Sequence, residues 1–365
     1  ITESLKGVGI RTAFLSGSVK GKTRKEVLHH LKEGNIDILI GTHAVLEKPV
    51  IFKNLGLAII DEQHRFGVMQ RSKLWTKSRD DKPPHILVMT ATPIPRTLAM
   101  TIYGDLEVSI IDELPPGRKK VHTLHKTERH RPQVIEFLHR EIEKGRQIYI
   151  VYPLIEESEK LDLADLQQGY ERLLQYFPPP EYKISVVHGR MKPQDKDLEM
   201  LRFAEGKTHI MVATTVIEVG VNVPNASVMV IENTERFGLS QLHQLRGRVG
   251  RGAEQSYCIL MSGYKLSKEA RTRIKTMTET NDGFKIAEVD LKLRGPGDIE
   301  GTRQSGLKEF KLFNVIVDQE ILNTSRQLAM LILDKDPQLQ HPENKVLINR
   351  LRILNPRQKD WGRIS

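Results

Sequence analysis

Two parallel-sheet lobes of the α/β class, one after the other and followed by helices, are the architecture this sequence predicts. Three observations carry it: short β-branched runs alternate with amphipathic stretches, the alternation is written twice, and a Pro/Gly turn separates the copies. Strand–helix alternation implies parallel sheets with helices packed on their faces.

The first copy runs from Leu15-Ser16-Gly17 through a charged helical stretch to Gly34, then into a strand over 36–40 and Thr42. The second runs from Val187-His188-Gly189 through a helix over 192–203 to Gly206, then into a strand over 210–213 and Thr214. An offset of 172 lays Gly17 on Gly189, Gly34 on Gly206, Thr42 on Thr214 and residues 57–60 on 229–232. Within the first copy, the apolar run Leu57-Ala58-Ile59-Ile60 stops at Asp61 and Glu62, and Ile86-Leu87-Val88-Met89 stops at Thr90. Residues 113–120, with Pro115-Pro116-Gly117 at their centre and Arg118-Lys119-Lys120 behind, read as the hinge. A second lobe spans about 121–262 and closes on the strand Tyr257-Cys258-Ile259-Leu260. Beyond it, 265–280 and 284–293 read as helices joined at Asn281-Asp282-Gly283, leading into a loop, Arg294-Gly295-Pro296-Gly297-Asp298. The last fifty residues read as helical.

Composition narrows the function. The 365 residues suffice for two ordinary domains, and a net charge of +10 favours a polyanionic partner. Only 5% of residues are aromatic, which argues for tracking a phosphate backbone over stacking on bases. One cysteine, Cys258, excludes an intramolecular disulfide and a cysteine-rich zinc site, and fits a reducing cytoplasm. No apolar stretch approaches the roughly 18 residues that span a bilayer. Ile1-Thr2-Glu3-Ser4 has no signal-peptide features, and without a leading Met the natural polypeptide is expected to begin upstream.

In parallel sheets ligands sit beyond the carboxyl ends of the strands, where Gly17, Thr42, Asp61, Thr90, Gly189 and Thr214 fall. Asp61 is a natural anchor for Mg²⁺, a hard ion that prefers carboxylate oxygens, and Glu62 can orient and deprotonate a water. Taken alone, the pair could equally be solvated acids opening a turn. Arg248 and Arg251 stand at i, i+3 on a predicted helix with Gln244 on the same face. Forked guanidinium groups suit the charge that develops on a transferring phosphoryl group, although a basic helix face can be merely solvated. Gly17-Ser18-Val19-Lys20-Gly21-Lys22-Thr23 is no phosphate-binding P-loop: three residues separate its glycine from Gly-Lys where four are required, and Ser16 holds the glycine position. His122 and His125 read as strand residues, not as metal ligands.

Together these stretches resemble the helicase core of superfamily 2, and within it the RecG family. Asp61-Glu62-Gln63-His64-Arg65-Phe66-Gly67-Val68 looks like that family's second motif, and Thr90-Ala91-Thr92-Pro93-Ile94-Pro95-Arg96-Thr97-Leu98 like its third. Ala213-Thr214-Thr215-Val216-Ile217-Glu218-Val219-Gly220-Val221 is similar to the fifth, and Gln244 to Arg251 to the sixth. Leu293-Arg294-Gly295-Pro296-Gly297-Asp298 and Gly301-Thr302-Arg303-Gln304-Ser305-Gly306 resemble its translocation loop, which follows a helical hairpin.

The resemblance implies two RecA-like lobes, the first shortened at its N-terminus, in an ATP- and Mg²⁺-driven motor that remodels branched duplex DNA such as stalled forks and Holliday junctions. It implies that Asp61 binds Mg²⁺, Glu62 activates water, Arg248 and Arg251 contact the triphosphate, and Gln244, Gly220 and Asn222 line the nucleotide site. Thr90, Thr92 and His64 would couple hydrolysis to lobe movement. Gly41, Thr42, His43, His188, Gly189, Arg190, Thr214 and Thr215 would lie toward DNA, with Arg294, Arg303 and Gln304 passing hairpin motion to the duplex. The family commonly has Asp where this chain has Asn222, whose amide can hydrogen-bond without the charge. The expected divisions are a first lobe over 1–115 lacking the P-loop, a second over 116–262, a translocation hairpin and loop over 263–310, and a helical segment over 311–365. Such a chain is expected to be nearly inactive alone, and a first lobe without its central strand to expose sheet edges. A monomer in the bacterial cytoplasm, associated with the nucleoid and not with a membrane, is the expected setting, with a single-stranded DNA-binding protein as a further partner. The rival readings are a transcription-repair coupling translocase, an RNA-unwinding enzyme and a DNA-binding module with idle motifs.

Overall fold

The computed structural model describes residues 5, 7–62, 74, 77, 84–90, 109–111, 113, 115–153, 159–215, 223–252, 254–298 and 318–354. The chain divides into two compact units, residues 1–91 with 101–106 and 300–365, and residues 92–100 with 107–299.

In the first unit β1 (Thr12–Leu15) and β2 (Ile38–Gly41) pair in parallel, connected through α1 (Gly21–Glu33). α1 stops at Gly34, whose φ of 78° is open to glycine and whose amide reaches the carbonyls of His30 and Leu31. β3 (Leu57–Ile60) and β4 (His85–Val88) form a separate two-stranded parallel sheet. Leu15, Leu31, Ala44 and Val50 make the small core of the first pair, and Ala58, Ile60 and Leu74 that of the second. Along β3 burial alternates, with Ala58 and Ile60 inside and Leu57 and Ile59 exposed.

The second unit is built on one six-stranded, all-parallel sheet, β5 (His122–Thr127), β6 (Gln147–Val151), β7 (Ile184–Val187), β8 (Ile210–Ala213), β9 (Ala226–Ile231) and β10 (Tyr257–Ser262), in the order β5-β10-β9-β6-β8-β7. The connecting helices are α2 (Arg131–Glu143), α3 (Glu159–Tyr176), α4 (Pro193–Ala204) and α5 (Leu239–Arg246), followed by α6 (Lys268–Glu279) and α7 (Gly283–Asp298). Alternate strand residues divide between two cores. Tyr149, Val151, Met229, Ile231 and Leu260 meet Phe203 of α4, Leu239, Leu242 and Leu245 of α5, Met277 of α6 and Ile286 of α7. Ile148, Ile150, Val228, Val230 and Ile259 face Val134 and Leu138 of α2 and Leu166 and Leu173 of α3. Fully burying each such side chain is worth about 1.5–3 kcal/mol. The second unit therefore has far more holding it than the first. The predicted hairpin helices α6 and α7 pack on the first of these cores, as integral parts of the second unit.

The repeat predicted at an offset of 172 holds bond by bond. β1–β2 pair Thr12 with Ile38, and β7–β8 pair Ile184 with Ile210, the same register after the shift. The Thr42 amide donates to Leu15 O and the Thr214 amide to Val187 O, each at 3.2 Å. Gly34 and Gly206 both close their helices at positive φ, 78° and 72°.

The loop expected after the hairpin is helical over residues 294–298. α7 runs through Arg294-Gly295-Pro296-Gly297-Asp298, where the composition predicts a loop. Proline's fixed φ is itself helical, so a helix can pass through it at the cost of one backbone hydrogen bond.

The first unit also holds α8 (Gln319–Lys335) and α9 (Lys345–Leu354), the helices predicted near the C-terminus. Among the described residues no helix is long and apolar enough to cross a membrane.

Candidate functional site

In the first unit the acidic pair and Thr90 leave neighbouring strands at the same level. Ile60 is in register with Val88, and the Met89 amide donates to Ile60 O at 2.8 Å, so Asp61-Glu62 and Thr90 emerge side by side beyond the strand ends. Asp61 is exposed, and its Oδ1 accepts the Glu62 amide at 2.9 Å. That bond accompanies a left-handed Glu62, φ 52°, a conformation that costs a non-glycine residue roughly 1–2 kcal/mol. Strain of this kind marks a turn whose direction matters. The donors here are carboxylate oxygens on an open strand end, a set that fits Mg²⁺. His64 and Thr92 lie outside the described residues.

At the matching ends of β1 and β2, Gly41 approaches so closely that an added Cβ would stand 2.2 Å from Leu15 O. Thr42 is the N-cap of the short 3₁₀ turn His43–Leu46. In the second unit the equivalent ends carry His188-Gly189-Arg190 after β7 and Thr214-Thr215 after β8. Thr214 is fully buried, and its Oγ1 and His188 Nδ1 find no hydrogen-bond partner among the described residues. Buried polar atoms of this kind call for a partner beyond the described residues. Burial, then Arg190, push the His188 imidazole below its ordinary pKa.

The arginines differ from expectation. α5 ends at Arg246, with Gly247 as its C-cap, so Arg248 and Arg251 ride on the turn after the helix and not on its face; Gln244 alone of the three is helical. The turn follows from Gly250, whose φ of 76° no helix contains. Arg248 N and Val249 N bond three residues back, to Leu245 O and Arg246 O, and Arg251 Nε donates to Gly247 O at 3.2 Å. Both guanidinium groups reach the neighbourhood of Tyr149: burial pushes that phenol up to about 12, and Arg248 and Arg251 pull it the other way.

Arg246 is the residue that the motif reading passes over. It is 3% exposed and donates to Met277 O at 3.0 Å and Thr280 O at 2.8 Å, the carbonyls that end α6. It also approaches His243 Nδ1 at 3.2 Å and Thr123 Oγ1 at 3.4 Å. Ser240 Oγ donates to Asp290 Oδ2 of α7 at 3.1 Å. The helix that leads into the arginine turn is thus fastened to both helices of the hairpin. The available sequence signal was a charge in a buried register, directly after Leu239, Leu242 and Leu245. A second missed group is Arg131, whose two terminal nitrogens each lie 2.8 Å from a carboxylate oxygen of buried Glu232, while the same side chain also holds Glu128. Gly220, Asn222, Arg303 and Gln304 fall outside the described residues, as does the side chain of Arg294.

The DEAD/DEAH box helicase family model matches residues 1–101, the helicase conserved C-terminal domain 130–253, and ATP-dependent DNA helicase RecG, domain 3, C-terminal, 280–365. The ATP-dependent DNA helicase RecG of Synechocystis sp. is 53% identical over 343 residues, 93% of this chain and 41% of the relative. That of Bacillus subtilis is 49% identical over 342 residues, 94% of this chain and 49% of the relative. The chain spans about half the length of the curated relatives it matches. A solved structure of RecG bound to a three-way DNA junction superposes with a TM-score of 0.65 at 46% identity, covering 88% of this chain and 41% of that one. The helicase MrfA, at TM-score 0.55 and 17% identity over 88% of this chain and 48% of its own, shares the fold. With strand-end acids, a glycine-turned arginine pair and a hairpin fastened behind it, this chain belongs to the RecG family, as the C-terminal portion of such a helicase.

Proposed function

We propose that the protein carrying these residues is an ATP-driven translocase on double-stranded DNA that remodels branched junctions, including stalled forks and Holliday junctions, in recombination and repair. One observation carries the reading: Arg246 and Ser240 fasten the helix before the arginine turn to the α6–α7 hairpin, so the turn and hairpin cannot move separately. The 46% identity to a RecG solved on a three-way junction supports the choice of branched DNA.

Asp61 would hold the Mg²⁺ of Mg·ATP, and the ion would supply neutralisation of phosphate charge. Glu62 orients the attacking water and accepts its proton. Arg248 and Arg251, with Gln244, Gly220 and Asn222 around the nucleotide, stabilise the charge that develops on the transferring phosphoryl group. Thr90, Thr92 and His64 relay the nucleotide state. Thr42 and His43 beside Gly41, and Thr214, Thr215, His188 and Arg190 beside Gly189, hold the DNA backbone; Thr214 Oγ1, without a partner among the described residues, supports this, since a hydroxyl can donate to a phosphate oxygen. Arg294, Arg303 and Gln304 pass hairpin motion to the duplex. We assign residues 1–115 and 116–262 to the two lobes, 263–310 to the translocation hairpin and loop, and 311–365 to a helical segment. The working protein is a monomer in the bacterial cytoplasm at the nucleoid, with a single-stranded DNA-binding protein as a second partner.

The 365 residues contain no Walker sequence, so alone they hydrolyse ATP slowly. The test is ATP turnover and junction unwinding by the protein in its natural full length, with and without Glu62→Gln. Junction-stimulated turnover, lost in the variant, is expected. Equal turnover without DNA, or an unaffected variant, refutes the reading.

A further inference from the structure

The basic segment behind the Pro/Gly turn runs along the stretch that follows the arginine turn. Arg118 N closes the turn onto Pro115 O at 3.1 Å, and the Arg118 side chain then reaches across the chain, its Nε donating to Gly250 O at 2.7 Å. Two further bonds continue the contact: Gln255 Nε2 donates to Lys120 O at 2.9 Å and His122 N to Ser256 O at 2.9 Å. Between them Val121 packs so tightly that its Cγ2 would stand 2.8 Å from a Cβ added at Gly250. Residues 118–122 are thereby stapled along 250–256.

The carbonyl that Arg118 holds belongs to the Gly250–Arg251 peptide. A peptide is planar, so fixing the direction of its C=O also fixes the N–Cα bond on which Arg251 is built. Gly250 alone would leave that direction loose, since glycine at positive φ is the most permissive residue in the turn. The half-buried Arg118 guanidinium is also held below its ordinary pKa, by burial and by Arg251 beside it. Like charges side by side are unfavourable on their own and favour an anion between them.

We propose that Arg118 is a positioning residue for ATP hydrolysis: it fixes the Gly250–Arg251 peptide so that the Arg251 guanidinium meets the triphosphate. This rests on the reading of Arg251 as a phosphate-contacting arginine. Because Arg118 lies just before β5, the direction of Arg251 is tied to the segment that leads into that strand.

The experiment is DNA-stimulated ATP turnover by the full-length protein, comparing Arg118→Ala, Arg118→Lys, Arg251→Ala and the Arg118→Ala/Arg251→Ala double variant. A misplaced catalytic group costs on the order of ten- to a hundredfold. Arg118→Ala is expected to lower kcat by that factor, with the KM for ATP within about threefold, because an interaction made only in the transition state affects kcat. Lysine, which can donate to the same carbonyl, restores a large part of the rate. The double variant matches Arg251→Ala alone, since Arg118 acts through it. Wild-type kcat in Arg118→Ala, or losses that multiply in the double variant, overturns the proposal while leaving the role of Arg251 standing. Should Arg118→Ala fail to fold, the lysine variant decides, and a folded lysine variant as slow as Arg251→Ala overturns the proposal. Full turnover by Arg251→Ala overturns the reading of the site itself, and the inference with it.

Discussion

Arg246→Met should lower the melting temperature of the second unit by about 5–15 °C. Methionine keeps much of the length and bulk of the arginine stem but donates no hydrogen bond. The carbonyls of Met277 and Thr280, now 3.0 and 2.8 Å from Arg246 nitrogen, would lose that partner at the end of α6. Each buried acceptor left unpaired costs about 1–3 kcal/mol. Removing a desolvated charge returns part of this, because burial already penalises the Arg246 guanidinium. The balance is on the order of 2–4 kcal/mol, and each kcal/mol moves the midpoint of a domain this size by about 2–4 °C. Circular dichroism melts of wild type and variant read it directly. A shift below about 2 °C would mean that water replaces the guanidinium without loss, and the claim that Arg246 bolts the hairpin to α5 would go with it.

Three other outcomes are expected. Burial, reinforced by Arg246, holds His243 at about 4, below the roughly 6.5 of an unfolded histidine. Its stabilising contribution is therefore present above about pH 6.5 and lost as pH falls toward 4, by up to about 3 kcal/mol; His243→Gln should flatten that slope in urea titrations, and an unchanged slope counts against it. Arg131→Ala leaves the buried Glu232 carboxylate without its counter-ion, at about 3–5 kcal/mol, whereas Glu128→Ala removes a pair whose carboxylate is 46% exposed and costs below about 1 kcal/mol; equal urea midpoints for the two variants would contradict this asymmetry. Limited trypsin digestion of these 365 residues should cut before about Pro115 well before it cuts the second unit, because the small cores of the first unit bury much less; equal resistance of both halves would be inconsistent with that reasoning.

Much of the layout was legible in sequence because strand–helix alternation leaves a period and glycine leaves a punctuation mark. Gly34 and Gly206 mark both helix ends, and the structure carries the 172-residue offset into the strand register, Thr12 with Ile38 and Ile184 with Ile210. The same reasoning misread the arginine turn. Arg248 and Arg251 have helical spacing, but Gly250 takes a positive φ, and spacing carries no record of φ. It also ended α7 at Leu293, before a stretch whose Pro296 has a ring conformation compatible with the helix that passes through it. The partners of Arg246 and Arg118 were illegible for a different reason: each binds backbone carbonyls, at Met277 and Thr280 or at Gly250, and a carbonyl acceptor has no residue type.

The shared register of β1–β2 and β7–β8 has an experimental consequence. The same strand–turn–helix–strand backbone carries Ser16-Gly17-Ser18 in one place and His188-Gly189-Arg190 in the other. Transplanting the three-residue turn from either copy into the other therefore isolates side-chain chemistry from scaffold.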